Sequence, residues 1–160
     1  MSTNTTNSRT TRGISAPVLV GGAFLLSTVA GLAFQGATIL FTDEDPHAPE
    51  GPIASIQSIS LVGGVGLAVA LAIALLLVKD PARARIGAIV LGALSLISVP
   101  FFWSGAPAVF GACAAWLAGL TQGSQPQTGA ARALGIIGFV VAVLVVVAIF
   151  VGNIGALVTT

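Results

Sequence analysis

The side chains best suited to chemistry are gathered in one short polar segment. Residues 42–52 (TDEDPHAPEGP) contain four of the five acidic residues of the chain and its only histidine. Carboxylates and an imidazole could hold a divalent cation weakly, but the prolines keep the segment extended and the spacing matches no ligand pattern. We interpret the segment as a solvated loop that is charged for topology and solubility, with weak cation binding as the alternative. The residues concerned are Asp43, Glu44, Asp45, His47 and Glu50.

No other part of the sequence offers a catalytic set. Cys113 is the only cysteine and lies in an apolar run, so we expect a small buried hydrophobic residue rather than a reactive thiol. One histidine and one cysteine on different segments exclude a Cys–His pair or a Cys/His metal cluster within one chain. No charged residue lies in the middle of an apolar run, where a proton relay would need one. We therefore predict no enzyme, no cofactor and no catalytic, cofactor-binding or metal-ligating residue.

The composition excludes a water-soluble protein. Of the 160 residues, 56% are hydrophobic and only 7% are charged, and the mean hydropathy is +1.04. A soluble domain carries about 25% charged residues, so this chain cannot cover its surface as a soluble enzyme or nucleic-acid binder does. The apolar runs are long and continuous rather than alternating, which indicates transmembrane helices. We predict an all-α integral membrane protein whose partner is the lipid bilayer, and no nucleic-acid binding.

The apolar runs define three long transmembrane helices and one shorter pair. A helix rises 1.5 Å per residue, so about 20 apolar residues cross a bilayer core of about 30 Å. We predict a disordered cytoplasmic tail at residues 1–13, a single helical membrane domain at residues 14–158, and a short tail after Asn153. The five membrane segments are residues 16–41, 53–78, 86–99, 107–120 and 133–151.

The apolar region 86–120 is too long for one span. Its 35 residues would form a helix of about 52 Å, and Pro100, Gly105 and Pro107 interrupt it. We predict a hairpin of two short helices with a chain reversal at residues 104–106; the sequence leaves open whether it spans the membrane or re-enters. Trp103 should anchor the turn at an interface. The two helices should touch along small residues, Ala88 and Gly92 against Gly111 and Ala115.

The basic residues set the predicted orientation. With a hairpin at residues 86–120, all six cations fall on one side of the membrane, and cations favour the cytoplasmic side. This places the N-terminus in the cytoplasm, and residues 42–52 and the C-terminus outside, in a bacterial cytoplasmic (inner) membrane. The cations are Arg9, Arg12, Lys79, Arg83, Arg85 and Arg132.

Gln35 and Gln57 are the most polar side chains within the predicted spans. Each should face another helix or water, because a polar group in hydrocarbon needs a partner. An interhelical hydrogen bond is the simpler interpretation and a substrate contact is the alternative. Hydroxyls such as those of Ser27, Thr28 and Ser95 can bond to their own helix backbone and indicate little. Small residues recur at every fourth position, for example Ser60, Gly64, Ala68 and Ala72, so close helix packing is permitted widely.

Residues 85–120 resemble a hairpin of small uncharacterised bacterial polytopic membrane proteins of the actinobacterial type. The shared pattern is a Gly-x-Leu-Ser-Leu helix, a turn with proline and aromatic residues, and a second helix rich in glycine and alanine. The resemblance implies a membrane fold and no activity. The matching residues here are Gly92, Leu94, Ser95, Leu96, Pro100, Trp103, Gly111 and Gly119.

Without a catalytic set or a large soluble domain, the sequence favours a function based on helix contact. We expect a non-catalytic accessory or assembly subunit that packs against a larger bacterial membrane complex. The alternative is a small transporter or pore that forms by self-association, with Gln35 and Gln57 lining a path. The expected partners are therefore other membrane-protein subunits or further copies of the chain.

Overall fold

A computed structural model describes residues 13–43 and 45–159 of the chain, with side chains as far as residue 155. Within these residues the chain is helical and contains no strand, which confirms the predicted all-α class. The predicted tail at residues 1–13 lies outside the described residues except for Gly13, and Glu44 of the acidic loop also lies outside them.

Three of the helices are long and apolar enough to cross a membrane. Helix α1 covers Ala16–Phe41 and contains a π-helical segment at Leu25–Val29. Helix α2 covers Pro52–Leu77, and its proline stands in the first turn, where a missing backbone N–H costs nothing. Helix α5 covers Ala130–Thr159.

Two shorter helices form the hairpin between α2 and α5. Helix α3 covers Pro81–Ile97, a 3₁₀ turn covers Val99–Ser104, and helix α4 covers Ala106–Leu117. Gly105 links the turn to α4 with a φ of 78°, a left-handed conformation that favours glycine. Helices α3 and α4 pack against each other, so the predicted chain reversal is present, but it takes up the whole 3₁₀ turn and Gly105 rather than residues 104–106 alone.

The ends of several helices differ from the predicted segments. Helix α3 begins at Pro81, not at residue 86, because the Asp80 carboxylate caps it by accepting a hydrogen bond from the Ala82 N–H at 2.9 Å. Helix α4 ends at Leu117 and not at residue 120. Helix α5 runs well beyond the predicted segment 133–151, so the predicted tail after Asn153 is wrong. No proline interrupts this last stretch, and the helix continues through its weakly polar residues.

Helix α4 forms the core of the bundle. Ten of its twelve residues are buried, and it contacts all four other helices. Its small side chains allow the neighbouring backbones to come close: a Cβ at Gly111 would overlap the carbonyl of Gly138 in α5. Cys113 is fully buried in this core, as the sequence predicted.

The predicted contact between α3 and α4 was only half right. The two helices do pack together, but Gly92 and Gly111 both face α5, where a Cβ at Gly92 would lie 2.8 Å from the Leu134 Cβ. Between α3 and α4, the Ser95 hydroxyl donates to the Pro107 carbonyl at 2.9 Å, and Gly87 leaves room for the Leu117 side chain. The small residues of the hairpin therefore serve both contacts: Gly92 and Gly111 admit α5, while Gly87 and Gly111 also admit the Leu117 and Ser95 side chains of the opposite arm.

The described cations lie at the end of the bundle where the hairpin begins and ends. Lys79, Arg83 and Arg85 surround the start of α3, and Arg132 lies in the first turn of α5. At the same end, the Gln122 N–H donates to the Ile14 carbonyl at 3.0 Å, which ties the connection after α4 to the chain before α1. The acidic connection between α1 and α2 lies at the opposite end of those two helices.

Candidate functional site

The turn of the hairpin contacts α1 and α2 near their midpoints. Thr28 of α1 and Gly63 of α2 meet the backbone of Ser104. At 1.5 Å per residue, each of these two contact points lies roughly 17–21 Å from both ends of its helix. The hairpin therefore reaches about halfway along the long helices. The expectation that Trp103 anchors the turn at a membrane interface does not fit this position.

Side-chain hydroxyls satisfy the non-helical backbone of the turn. The Thr28 hydroxyl donates to the Ser104 carbonyl at 2.9 Å, and the Ser104 hydroxyl donates to the Phe101 carbonyl at 2.7 Å. The Ala106 N–H donates in turn to the Ser104 hydroxyl at 3.2 Å. Throughout the described chain, no buried side-chain nitrogen or oxygen lacks a hydrogen-bond partner. Non-helical backbone at membrane depth is tolerated only where its N–H and C=O groups have hydrogen-bond partners, and the hydroxyls of Thr28 and Ser104 supply such partners here.

Two close approaches fix the turn between α1 and α2. A Cβ at Gly63 would lie 2.7 Å from the Thr28 Cγ2 and 2.5 Å from the Ser104 carbonyl oxygen. A Cβ at Gly105 would overlap the hydroxyls of Ser27 and Thr28. Glycine at these positions therefore lets three backbones meet at one point.

The expectation that these hydroxyls can bond to their own helix backbone and therefore indicate little was partly wrong. Ser27 does donate to the Ala23 carbonyl at 2.6 Å within α1, with a longer contact of 3.5 Å to the Gly105 carbonyl, but Thr28 and Ser95 donate to the hairpin turn and to α4. Ser27 and Thr28 lie in the π-helical segment of α1, a local widening that often occurs at functional sites. No sequence pattern pointed to that segment.

Gln35 lies beside a small cavity beyond the turn. The cavity has a volume of about 90 Å³, and its walls include Gly31, Gln35, Trp103 and Asn153. Asn153 donates to the Ile149 carbonyl of its own helix at 2.7 Å. Gln57 does not line this cavity. The structure thus does not bring Gln35 and Gln57 to one path within a single chain, and the buried helix α4 fills the axis beneath the turn.

Gln57 instead belongs to an exposed row of small residues on α2. Its spacing of three and then four residues places the row on one side of the helix, which we name the outward face of α2. A Cβ at Gly64 would meet nothing within 4 Å, whereas the adjacent Gly63 is packed against the turn. The outward face consists of Gln57, Ser60, Gly64, Ala68 and Ala72, all of them exposed.

The acidic loop forms a local turn. The Asp45 carboxylate accepts a hydrogen bond from the His47 N–H at 2.9 Å, and the His47 Nδ1 lies 3.8 Å from the same carboxylate oxygen. The side chains of His47 and Asp45 are 81% and 72% exposed. Among the residues described, which leave out Glu44, no three His, Cys, Asp or Glu side chains come together as metal ligands would.

No family model, curated protein or solved structure matches this chain. Among the residues described, the candidate features for contact outside the chain are the outward face of α2 and the polar surfaces at the two ends of the bundle; large apolar side chains are exposed on α1, α3 and α5 as well.

Proposed function

We propose that this chain is a non-catalytic accessory or assembly subunit that packs, through the outward face of α2, against a larger complex in a bacterial cytoplasmic membrane. In this proposal the N-terminus is cytoplasmic, and residues 42–52 and the C-terminus are outside. The hairpin α3–α4 re-enters from the cytoplasmic side and gives the third and fourth of the five membrane segments. Support for this orientation comes from the four described cations, Lys79, Arg83, Arg85 and Arg132, which gather at one end of the bundle.

One observation carries the proposal: the outward face of α2 is small, regular and uncovered. In lipid, helices associate through close packing and hydrogen bonds, and small residues at every fourth position let two backbones approach. The opposite face of α2 also consists of small residues, and it packs against other helices of this chain; its residues Gly63, Gly66, Ala70 and Ala74 are buried. The outward face has the same character and no covering helix among the residues described.

Gln57 adds a polar reason for a partner. It lies five residues into α2, about 7–8 Å from the helix start, and its side chain is exposed on an otherwise apolar helix. An amide that faces hydrocarbon lacks the hydrogen bonds it makes in water. A neighbouring helix that supplies one such bond gains about 0.6 kcal/mol on average, in addition to the packing contacts.

Purification from native membranes in a mild detergent tests the proposal. We expect the tagged chain to bring down a discrete membrane partner, and Gly64→Leu to abolish that recovery while leaving the abundance of the chain unchanged. Gly21→Leu is the matched control, because a Cβ at Gly21 also meets nothing within 4 Å but lies on α1. Recovery of the same partner with Gly64→Leu would refute the proposed surface. A closed oligomer of this chain alone would favour the alternative, a transporter or pore formed by self-association.

A further inference from the structure

A second cavity lies at the cationic end of the bundle. It has a volume of about 220 Å³, equivalent to the liquid volume of about seven water molecules. It is enclosed by the turn between α2 and α3, the end of α4, and the connection that follows α4. The residues that line it include one lysine, one serine, three glutamines and one tryptophan: Lys79, Ser124, Gln122, Gln125, Gln127 and Trp116.

Backbone and side-chain hydrogen bonds hold this cavity in shape. The Gln127 N–H donates to the Ala118 carbonyl at 3.0 Å, and its side-chain amide donates to the Pro81 carbonyl at 3.4 Å. The Ser124 hydroxyl donates to the Thr121 carbonyl at 2.7 Å. Gly119 has a φ of 81° and packs against the backbone of Gln125 and Pro126, which turns the chain back over the end of α4. The connection therefore forms a structured wall rather than an open loop.

The charges around the cavity favour an anion. Lys79 lines it, and Arg83, Arg85 and Arg132 lie at the same end of the bundle. Asp80 is the acidic residue there, and its carboxylate is engaged by the Ala82 N–H and by Arg83 at 3.6 Å. No acidic residue lines the cavity.

The end of α4 opposes an anion only weakly. A helix C-terminus presents a partial negative charge through its last carbonyls. Here Ala118, Gly119 and Leu120 donate backbone bonds to carbonyls of the last turn of α4, and Gln127 occupies the Ala118 carbonyl. The Gln127 amide is engaged by the Pro81 carbonyl, so we assign Lys79 and Gln125 as the polar side chains of the lining that face a ligand.

In the orientation proposed above, on which this inference rests, the cavity lies at the depth of the cytoplasmic lipid headgroups. Helix α2 ends at Leu77 and α3 begins at Pro81, so Lys79 is just beyond the apolar span. Trp116, half-buried at the cavity wall, suits this depth because tryptophan is enriched at membrane interfaces. Basic pockets between helices on the cytoplasmic side bind anionic headgroups. We propose that this cavity binds the phosphate of an anionic phospholipid headgroup, with Lys79 as its counter-ion and the Gln125 amide as a hydrogen-bond donor.

Quenching of Trp116 fluorescence by brominated lipid tests this proposal on the full chain. Trp103→Phe leaves Trp116 as the only tryptophan, and the protein is reconstituted in phosphatidylcholine vesicles that contain brominated phosphatidylglycerol or brominated phosphatidylcholine. One lysine near an anionic surface contributes about fivefold in affinity. We expect phosphatidylglycerol to be preferred about fivefold, and Lys79→Gln or Gln125→Glu to remove the preference while Lys79→Arg keeps it.

Two controls separate this site from its alternatives. Arg132→Gln removes one exposed charge at the same end without touching the cavity, so it should reduce the preference clearly less than Lys79→Gln does. An equal loss in Arg132→Gln and Lys79→Gln would show diffuse attraction and overturn the proposal. Glycerol phosphate in solution is the second control: if millimolar amounts abolish the preference in the wild-type chain, the cavity binds a soluble phosphate ester and the lipid assignment is wrong. Neither result depends on the outward face of α2.

Discussion

The Thr28 hydroxyl donates a hydrogen bond to the Ser104 carbonyl at 2.9 Å, and this bond joins the middle of α1 to the turn of the hairpin across 76 residues of sequence. It lies where three chain segments meet, because Gly63 of α2 touches the same carbonyl. The depth of the hairpin is therefore set at its tip and not only by the lengths of its two arms.

Thr28→Val should destabilise the protein while keeping its shape. Valine has nearly the same volume but cannot donate, so the buried Ser104 carbonyl loses this partner at a cost of about 1–3 kcal/mol. The free energy of unfolding in mixed detergent micelles measures this loss. Thr38→Val is the control, because Thr38 donates at 3.2 Å to the Phe34 carbonyl of its own helix. Equal stability of the two variants would show that the contact at the turn is unimportant.

The adjacent glycines Gly63 and Gly64 should respond oppositely to the same substitution. Gly63→Ala places a methyl group 2.7 Å from the Thr28 Cγ2, and overpacking of this kind costs about 1–3 kcal/mol. Gly64→Ala meets nothing within 4 Å and should leave stability unchanged or slightly higher, since alanine favours the helix. Thermal unfolding in detergent compares the pair. The prediction fails if Gly64→Ala is the more damaging change.

Gly105→Ala should prevent normal folding. The substitution forces a side chain into the left-handed conformation, at about 1–2 kcal/mol, and also places its Cβ against Ser27 and Thr28. Gly123→Ala isolates the first effect, because Gly123 has a φ of 76° but open space around it. Abundance in the membrane and resistance to proteolysis should fall sharply in Gly105→Ala and only slightly in Gly123→Ala. Similar behaviour of both would mean that the turn is not packed as described.

His47→Ala should leave folding and abundance unchanged. The Asp45 carboxylate bonds to the backbone N–H of His47, so the turn survives without the imidazole, which is mostly exposed. Membrane abundance and metal analysis of the purified protein check this. A stoichiometric metal that disappears with the substitution would establish the cation site that we regard as the alternative.

The sequence predicted those parts of the fold that depend on local signals. Length and hydropathy located the three long helices, and Pro100, Gly105 and Pro107 located the reversal, because these residues restrict the backbone on their own. The start of α3 was misplaced although Asp80 and Pro81 form a typical helix start, because the segment was bounded by its apolar run and not by its cap.

The candidate surfaces were harder to predict because they depend on which face of each helix is covered. Gly63 and Gly64 are adjacent glycines in the same apolar run, and the sequence does not distinguish them. Gly63 nevertheless packs against the hairpin turn, whereas Gly64 faces outward. Thr28 is one of many hydroxyls in the spans, and only the position of Ser104 gives it a partner in another helix. The cavity at the cationic end arises from three separate segments, and its glutamines lie in the connection between α4 and α5, where no sequence pattern predicted a site.

Thiol labelling at three positions tests most directly the claim that the hairpin enters and leaves the membrane on the cytoplasmic side. Single cysteines at Ala48, Ala82 and Gln125, on a Cys113→Ala background, report the acidic loop and the two ends of the hairpin. In intact cells an impermeant reagent should label only the cysteine at Ala48, and in inverted membrane vesicles only those at Ala82 and Gln125. Labelling of Ala82 and Gln125 from opposite sides would contradict the hairpin, and labelling of both from outside would reverse the proposed orientation.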